Sequence, residues 1–386
     1  TGAGAAYIFE RNTNGTWPGT ETTKIQASNA GNGSYEFFGN SVSISGNYAI
    51  VGAYLEDSSD TDSGAAYIFE RDVDGSWNQV PTILKASNAG DSDNFGYSVS
   101  ISGSYAIVGT PNEDSPGNSG NSGAAYIFER DVNGNWGTSV DSTLCNETTI
   151  LRETNNYSWG TADDNFGHSV AIDGNYAIVG SPYEDTNQSD SGAAFIFERD
   201  TDGSWNEVPT MLKASNAGYT DDFGTSVSIS GNYAIVGAPE EDTGGHTTGS
   251  AYIFKRDGSG NWGTSVDSTT CTETQILNVA TNADDTYNFF GYSVDIDISY
   301  AIIGAWGRAT NLESNGTKAG SAYIFERTVD GSWNQLTMVT ANNASKDDEF
   351  GKSVSISGNY AIAGAWSEDT TFSSSGAAYI IEPGVV

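Results

Sequence analysis

The sequence predicts an all-β propeller of four-stranded antiparallel blades, and three observations predict it. A phrase of the type Gly-Ala-Ala-Tyr-Ile-Phe-Glu-Arg recurs through the chain, beginning at Gly4, Gly64, Gly123, Gly192, Gly249, Gly320 and Gly376. A second phrase of the type FGxSVSISGNYAIVGAP recurs with Phe-Gly at Phe38-Gly39, Phe95-Gly96, Phe166-Gly167, Phe223-Gly224, Phe290-Gly291 and Phe350-Gly351. A Trp follows a turn at Trp17, Trp77, Trp136, Trp205, Trp262 and Trp333. The period of about 57 to 71 residues suits one four-stranded unit and is far too long for a β-solenoid coil.

Each unit reads as strands A to D. Strand A is the Ser-Val-Ser-Ile-Ser type, as at 98–102, where Val99 and Ile101 alternate with Ser and leave one face apolar. Strand B is Tyr-Ala-Ile-Val-Gly, as at 105–109, a near-continuous apolar run that fits a strand covered on both faces. Strand C is Ala-Ala-Tyr-Ile-Phe-Glu-Arg. Strand D runs from the Trp towards Ile-Leu-Lys-Ala-Ser. Ser-Gly-Asn or Asp-Gly-Asn joins A to B, and Asp-Gly, Asn-Gly or Ser-Gly joins C to D; these are tight-hairpin sequences. A lone sheet of this kind exposes both faces, and packing against its neighbours buries them. Val42, Ile44, Ile50 and Val51, with their equivalents, are therefore expected between sheets.

Strands A, B and D each occur six times and strand C seven times. The expectation is one propeller over 1–386, six-bladed with seven as the alternative. The blades fall at about 37–94, 95–165, 166–222, 223–289, 290–349, and 350–386 closed by 1–36. Length alone suggests two or three domains, but the repeats override that prior.

Composition narrows the function. A formal net charge of −35 with only 15 Lys and Arg repels phosphate backbones and anionic lipid. No apolar run is long enough to span a bilayer. The chain opens in mid-pattern at Thr1-Gly2-Ala3 and reads as a mature or trimmed product. Cys145 and Cys271 occupy equivalent places two blades apart and are not expected to form a disulfide.

The runs FGYSVSIS from Phe95 and FGTSVSISGNYAIVGAP from Phe223 resemble the FG-GAP repeats of integrin α-subunit propellers. They are closer still to a bacterial-type FG-GAP subfamily. The resemblance covers essentially the whole chain, and the integrin likeness implies the seven-bladed alternative. Integrin-type repeats often carry a DxDxDG calcium loop between strands A and B. Here that loop is cut to Ser45-Gly46-Asn47 or Asp173-Gly174-Asn175, so its calcium site is not carried over.

Candidate site residues gather on one loop face, because the D–A and B–C loops leave the same end of each blade. Acidic pairs before Phe-Gly include Asp91 and Asp93, Asp163 and Asp164, and Asp221 and Asp222. Pairs after strand B include Glu113 and Asp114, Glu184 and Asp185, and Glu241 and Asp242. Carboxylates with loop carbonyls can hold Ca2+, the one cofactor these residues suggest. Trp306 and Trp366 take the place of Pro182 and Pro239 in other blades, and Trp159 lies in a long D–A insertion. Aromatics beside carboxylates suit sugars or basic peptides. Asn14, Asn32, Asn146, Asn156, Asn187, Asn315 and Asn343 are candidate N-glycosylation acceptors.

Only His168 and His246 are present, and no nucleophile–base set is implied, so the chain is expected not to be an enzyme. The leading expectation is an extracellular or cell-surface recognition or adhesion module. It would bind a glycan or protein through its acidic, Trp-bearing face, without nucleic-acid binding or membrane insertion. The alternatives are a self-assembling subunit of a filament or surface layer, and a polysaccharide-acting enzyme.

Overall fold

The computed structural model describes residues 4–29, 36–57, 61–114, 120–153, 163–186, 188–242, 247–279, 287–308, 318–369 and 375–383. Two compact units emerge: Thr1–Val179 with Phe197–Glu207, and Gly180–Ile196 with Val208–Val386. The architecture is an all-β propeller of small antiparallel sheets. No helix among the described residues is long and apolar enough to cross a membrane.

The first strands are β1 (Ala6–Ile8) and β2 (Thr23–Ile25), a two-stranded sheet. A blade follows in β3 (Val42–Ser45), β4 (Tyr48–Ala53), β5 (Ala65–Arg71) and β6 (Trp77–Leu84). The next contains β7 (Ser98–Ser102), β8 (Tyr105–Thr110) and β9 (Ala124–Glu129). The chain then makes a hairpin of β10 (Thr138–Ser139) and β11 (Leu144–Asn146) before β12 (Thr149–Leu151) completes that sheet. A third blade has β13 (Ser169–Asp173), β14 (Tyr176–Ser181), β15 (Ala193–Arg199), and a fourth strand split into β16 (Trp205–Glu207) and β17 (Met211–Lys213).

The fourth blade is β18 (Ser226–Ser230), β19 (Tyr233–Ala238), β20 (Ser250–Lys255), the hairpin β21 (Thr264–Ser265) and β22 (Thr270–Thr272), and β23 (Gln275–Leu277). The fifth is β24 (Phe290–Ile296), β25 (Tyr300–Ala305), β26 (Ser321–Arg327) and β27 (Trp333–Val339). Last come β28 (Phe350–Ser357), β29 (Tyr360–Ala365) and β30 (Ala377–Ile381), a three-stranded sheet. Among the described residues five sheets thus carry the full four-stranded unit, where six or seven blades were expected. The shortfall lies in the strand D position after β30, where no described strand pairs.

Each hairpin inserted into strand D leaves its own blade. Strand β11 adds to the preceding blade by pairing in parallel with β6, Leu144 opposite Ile83 and Cys145 opposite Leu84. In the same way β22 pairs with β17, Leu212 opposite Cys271. This buries both cysteines and covers two outer edges that would otherwise be open. Both thiols are free in this structure, and burial pushes each up to about 11.

The repeated residues stitch blade to blade. The Ser of Phe-Gly-x-Ser donates to the Phe-Gly carbonyl of the next blade, Ser41 Oγ to Gly96 O at 2.8 Å and Ser226 Oγ to Gly291 O at 2.7 Å. The alternating Ser of strand A accept backbone N–H groups from the next inner strand: Ile101 N to Ser43 Oγ (3.2 Å) and Ile172 N to Ser100 Oγ (3.2 Å). The strand B Gly is required by the same approach, since a Cβ on Gly52 would lie 2.0 Å from Gly96 O. The Trp after the C–D turn packs edge-on against the preceding blade's Tyr, as Trp136 does on Tyr48 at 5.7 Å and Trp333 on Tyr233 at 5.7 Å.

One expectation about the core is corrected. Ile50 and Val51 are buried, but Val42 and Ile44 are 59% and 58% exposed. Their equivalents Val99 and Ile101 are 8% and 4% exposed. The two-stranded sheet β1–β2 packs on Val51, Tyr67 and Phe69. It corresponds to strands C and D only, so it supplies no inner strands to cover β3.

Candidate ligand-binding loop face

The glutamates after strand B were expected on the rim as metal ligands. The structure places them beneath the loops. Glu56, Glu113, Glu184, Glu241 and Glu368 are all buried. In four blades the Glu ends a chain that starts at the strand C Tyr and passes through an Asn on the preceding D–A connection. Tyr67 Oη donates to Asn29 Oδ1 (2.9 Å), and Asn29 Nδ2 donates to Glu56 Oε1 (2.9 Å). Tyr126, Asn88 and Glu113 repeat the relay at 3.0 and 2.6 Å, as do Tyr252, Asn216 and Glu241 at 3.0 and 2.9 Å. Tyr379, Asn343 and Glu368 form it at 2.8 and 2.6 Å.

Cations of the same blade complete three of these carboxylates. Lys85 pairs with Glu56 and Lys213 with Glu184, both pairs buried, and Arg152 Nη2 reaches Glu113 Oε1 at 2.6 Å. Such a carboxylate is a fastener of the loop, its charge matched on the spot.

The aspartates before Phe-Gly are also partly consumed by the fold. Asp93 accepts Gly90 N–H at 2.6 Å, Asp221 accepts Gly218 N–H at 2.6 Å and Asp348 accepts Ser345 N–H at 2.6 Å. Burial pushes Asp93 and Asp221 up to about 6. Asp222 is pushed up to about 7, by burial first and then by the charges of Glu240, Asp190 and Asp221. Asp164 is buried. Asp185 accepts Asp190 N–H at 2.8 Å, Asp91 accepts Thr61 N–H at 3.1 Å, and Asp163 accepts Asn121 Nδ2–H at 3.0 Å. Asp114 and Asp242 bridge across their own loops to Asn121 and Thr247. Among the described residues no group of three or more His, Cys, Asp or Glu side chains could hold a metal ion. Calcium takes roughly six to eight oxygens, more than any one cluster of described side chains brings together.

The tryptophans divide. Trp366 is 65% exposed at the end of β29. Trp306 is packed: Phe289 stacks on it at 4.6 Å with the planes 2° apart, and Tyr292 meets it edge-on at 5.7 Å. Lys352 Nζ lies 3.7 Å and Lys318 Nζ 4.5 Å from its ring centroid. Trp159 lies outside the described residues, as do Asn32, Asn156, Asn187 and Asn315. Of the other acceptors, Asn14 sits in an exposed turn, Asn146 in β11, and Asn343 spends its amide in the relay to Glu368.

The sequence shows that His168 takes the variable slot of Phe-Gly-x-Ser, where other blades have Asn40, Tyr97, Thr225, Tyr292 or Lys352, but not that these residues meet in space. In the first unit Asn40 Nδ2 donates to Tyr97 O (3.3 Å), and Tyr97 stacks at a tilt on His168 at 5.1 Å. In the second, Lys352 Nζ sits 4.8 Å from the Tyr292 ring centroid. Occupants of this slot in successive blades are neighbours, so a changing residue in a constant phrase marks a row of adjacent side chains. Variation against a fixed frame was the available signal.

A family model described as FG-GAP repeat matches residues 20–69, 77–128, 158–197, 205–254, 280–325 and 333–381. The chain belongs to the FG-GAP repeat family. No curated protein sequence matches it. Among solved structures, a periplasmic gluconolactonase of Pseudomonas aeruginosa is similar, with a TM-score of 0.51 and 11% identity. The likeness covers 97% of this chain and 92% of that one, and at this identity it shows the fold alone. It corrects the expectation that the chain is not an enzyme, which rested on scarce His and on a fold read as a binding scaffold. That neighbour is named as an enzyme, and fold does not decide chemistry.

Proposed function

We propose that this FG-GAP propeller is an extracellular recognition module that binds a glycan through the D–A and B–C loops of its second unit. The observation that carries the reading is Trp366, a large ring left 65% exposed beside loops whose other residues are pinned from below. Exposed Tyr183, Tyr219 and Tyr287 on loops of the same type add apolar, hydrogen-bonding surface. Buried relays such as Tyr252–Asn216–Glu241 hold these loops, so a ligand would meet a surface ordered in advance. Calcium has no part in the proposed site.

The test is a glycan array followed by titration calorimetry on the wild type and on Trp366→Ala. Affinity should fall at least about tenfold in the variant, while stability stays within about 0.5 kcal/mol, as for an exposed residue. Product formation is followed on the same glycans. Unchanged affinity in Trp366→Ala would remove the reading.

A further inference from the structure

The blade β24–β27 holds cations against its own aromatic rings. Trp306 stacks on Phe289 at 4.6 Å, and two ammonium groups face the pair. Lys352 Nζ is 3.7 Å and Lys318 Nζ 4.5 Å from the Trp306 centroid, and Lys318 Nζ is 5.5 Å from that of Phe289. The negative faces of the rings attract these charges. Each of the four residues has a fixed place in the repeat. Phe289 precedes Phe-Gly, and Trp306 follows strand B. Lys318 stands two residues before the Gly that opens strand C, and Lys352 fills the variable slot of the next blade.

The blade β3–β6 repeats the rings without the lysines. Phe37 and Tyr54 stand at the places of Phe289 and Trp306, with centroids 5.5 Å apart. Tyr97 takes the next-blade slot in place of Lys352, and its ring meets Tyr54 edge-on at 5.6 Å. Asp62 takes the place of Lys318, with the same backbone bond: Asn94 N–H donates to Asp62 O at 3.2 Å, as Glu349 N–H does to Lys318 O at 3.2 Å. Where one blade has two cations, the other has a third ring and a carboxylate. Among the described residues no Lys or Arg lies over Phe37 or Tyr54. Phe37 is 42% exposed, and Tyr54, Tyr97 and Asp62 are half-buried. Asn94 Nδ2 donates to Tyr54 O (3.3 Å) and to Asp62 O (3.4 Å), which fixes ring and acid together. Burial first, and then the charge of Asp62, hold the Tyr54 hydroxyl above its ordinary value, so the acid acts on the ring. Phe37 has φ 52°, where other blades have Asn94 and Asn165. A bulky ring in that region is uncommon and costs backbone energy, which calls for a use of the ring. The other Phe held this way is Phe289, φ 54°, which already serves a cation.

We infer that Phe37, Tyr54 and Tyr97 form a cage for an alkylammonium group with Asp62 as its counter-ion, and that the ligand is a lysine side chain of a partner protein. That lysine takes the place which Lys318 and Lys352 hold in the blade β24–β27. A net charge of −35 favours a basic partner and speeds its approach. The site lies wholly in the first compact unit and does not rest on the glycan reading.

The experiment titrates the full chain with Nα-acetyl-lysine amide and with Nα-acetyl-norleucine amide, which has the same carbon stem and no charge. Ligand-observed NMR at physiological salt reads both. Single-lysine probes and screening salt keep the general attraction of a polycation out of the result. The lysine probe should bind, and the norleucine probe should bind at least about tenfold more weakly. Phe37→Asn, which keeps the backbone with the residue other blades use, should weaken lysine binding at least about fivefold without lowering the melting temperature. Asp62→Asn should weaken it several-fold. Tyr97→Lys, which supplies the cation from the chain itself as Lys352 does, should abolish it. Equal binding of the two probes overturns the inference, and so does unchanged lysine affinity in both Phe37→Asn and Asp62→Asn. Absence of any lysine binding to the unaltered chain overturns it as well.

Discussion

Asp222 shows how much a single residue depends on its surroundings. In sequence it is one of many acids beside Phe-Gly. Folded, its carboxyl is pushed up to about 7 from an ordinary 3.8 by burial and by Glu240, Asp190 and Asp221. Between those values the folded chain holds a proton that the unfolded chain releases. Stability therefore falls as pH rises through that window and returns on acidification. Asp222→Asn removes the titration: it should melt a few degrees higher than wild type at pH 8 and similarly at pH 4. A thermal-melt series across that range checks it, and parallel curves for the two proteins would contradict it. Acid pairs were legible as a pattern, but their burial was not, because burial is decided by neighbouring blades.

At the scale of the element, the strand reading survived well. Period-2 alternation in Ser98–Ser102 and the apolar run of Tyr105–Thr110 became β7 and β8, paired in register with Val99 opposite Val108. What alternation did not reveal is that the polar half of strand A is also used, since Ser43 and Ser100 accept bonds from the next blade. Nor did it reveal that β11 and β22 belong to the sheets before their own. The fasteners beneath the loops invite a direct test. Lys213 and Glu184 are a buried pair, 1% and 4% exposed. Lys213→Met leaves the acid unpaired and should cost about 3–5 kcal/mol. Adding Glu184→Met should recover much of that loss, because two well-packed apolar chains avoid the desolvation of both charges. Denaturant unfolding of both variants measures it, and a loss under about 1 kcal/mol for Lys213→Met would show that the pair is not load-sharing.

For the molecule as a whole, equivalent residues differ by what covers them. Ile101→Ala should cost about 2–5 kcal/mol, as for a buried Ile, while Ile44→Ala should stay within about 0.5 kcal/mol. Equal losses in chemical denaturation would mean that Ile44 is covered in solution. The repeat phrases by themselves determined the all-β class, the strands and the tight turns, because these follow from local periodicity and from residues that only one backbone geometry accepts. The sequence also showed that Trp306 and Trp366 stand where other blades have Pro182 and Pro239. Only the tertiary structure decided that five sheets are complete, that Val42 and Ile44 stand exposed, and that the paired acids mostly fasten loops. It alone brought the stacked rings of Phe289 and Trp306 against Lys318 and Lys352. The physical reason is that burial, pairing and charge compensation are set by segments up to 100 residues apart, as in Trp333 on Tyr233, and a repeat specifies its own strands more completely than it specifies its neighbours.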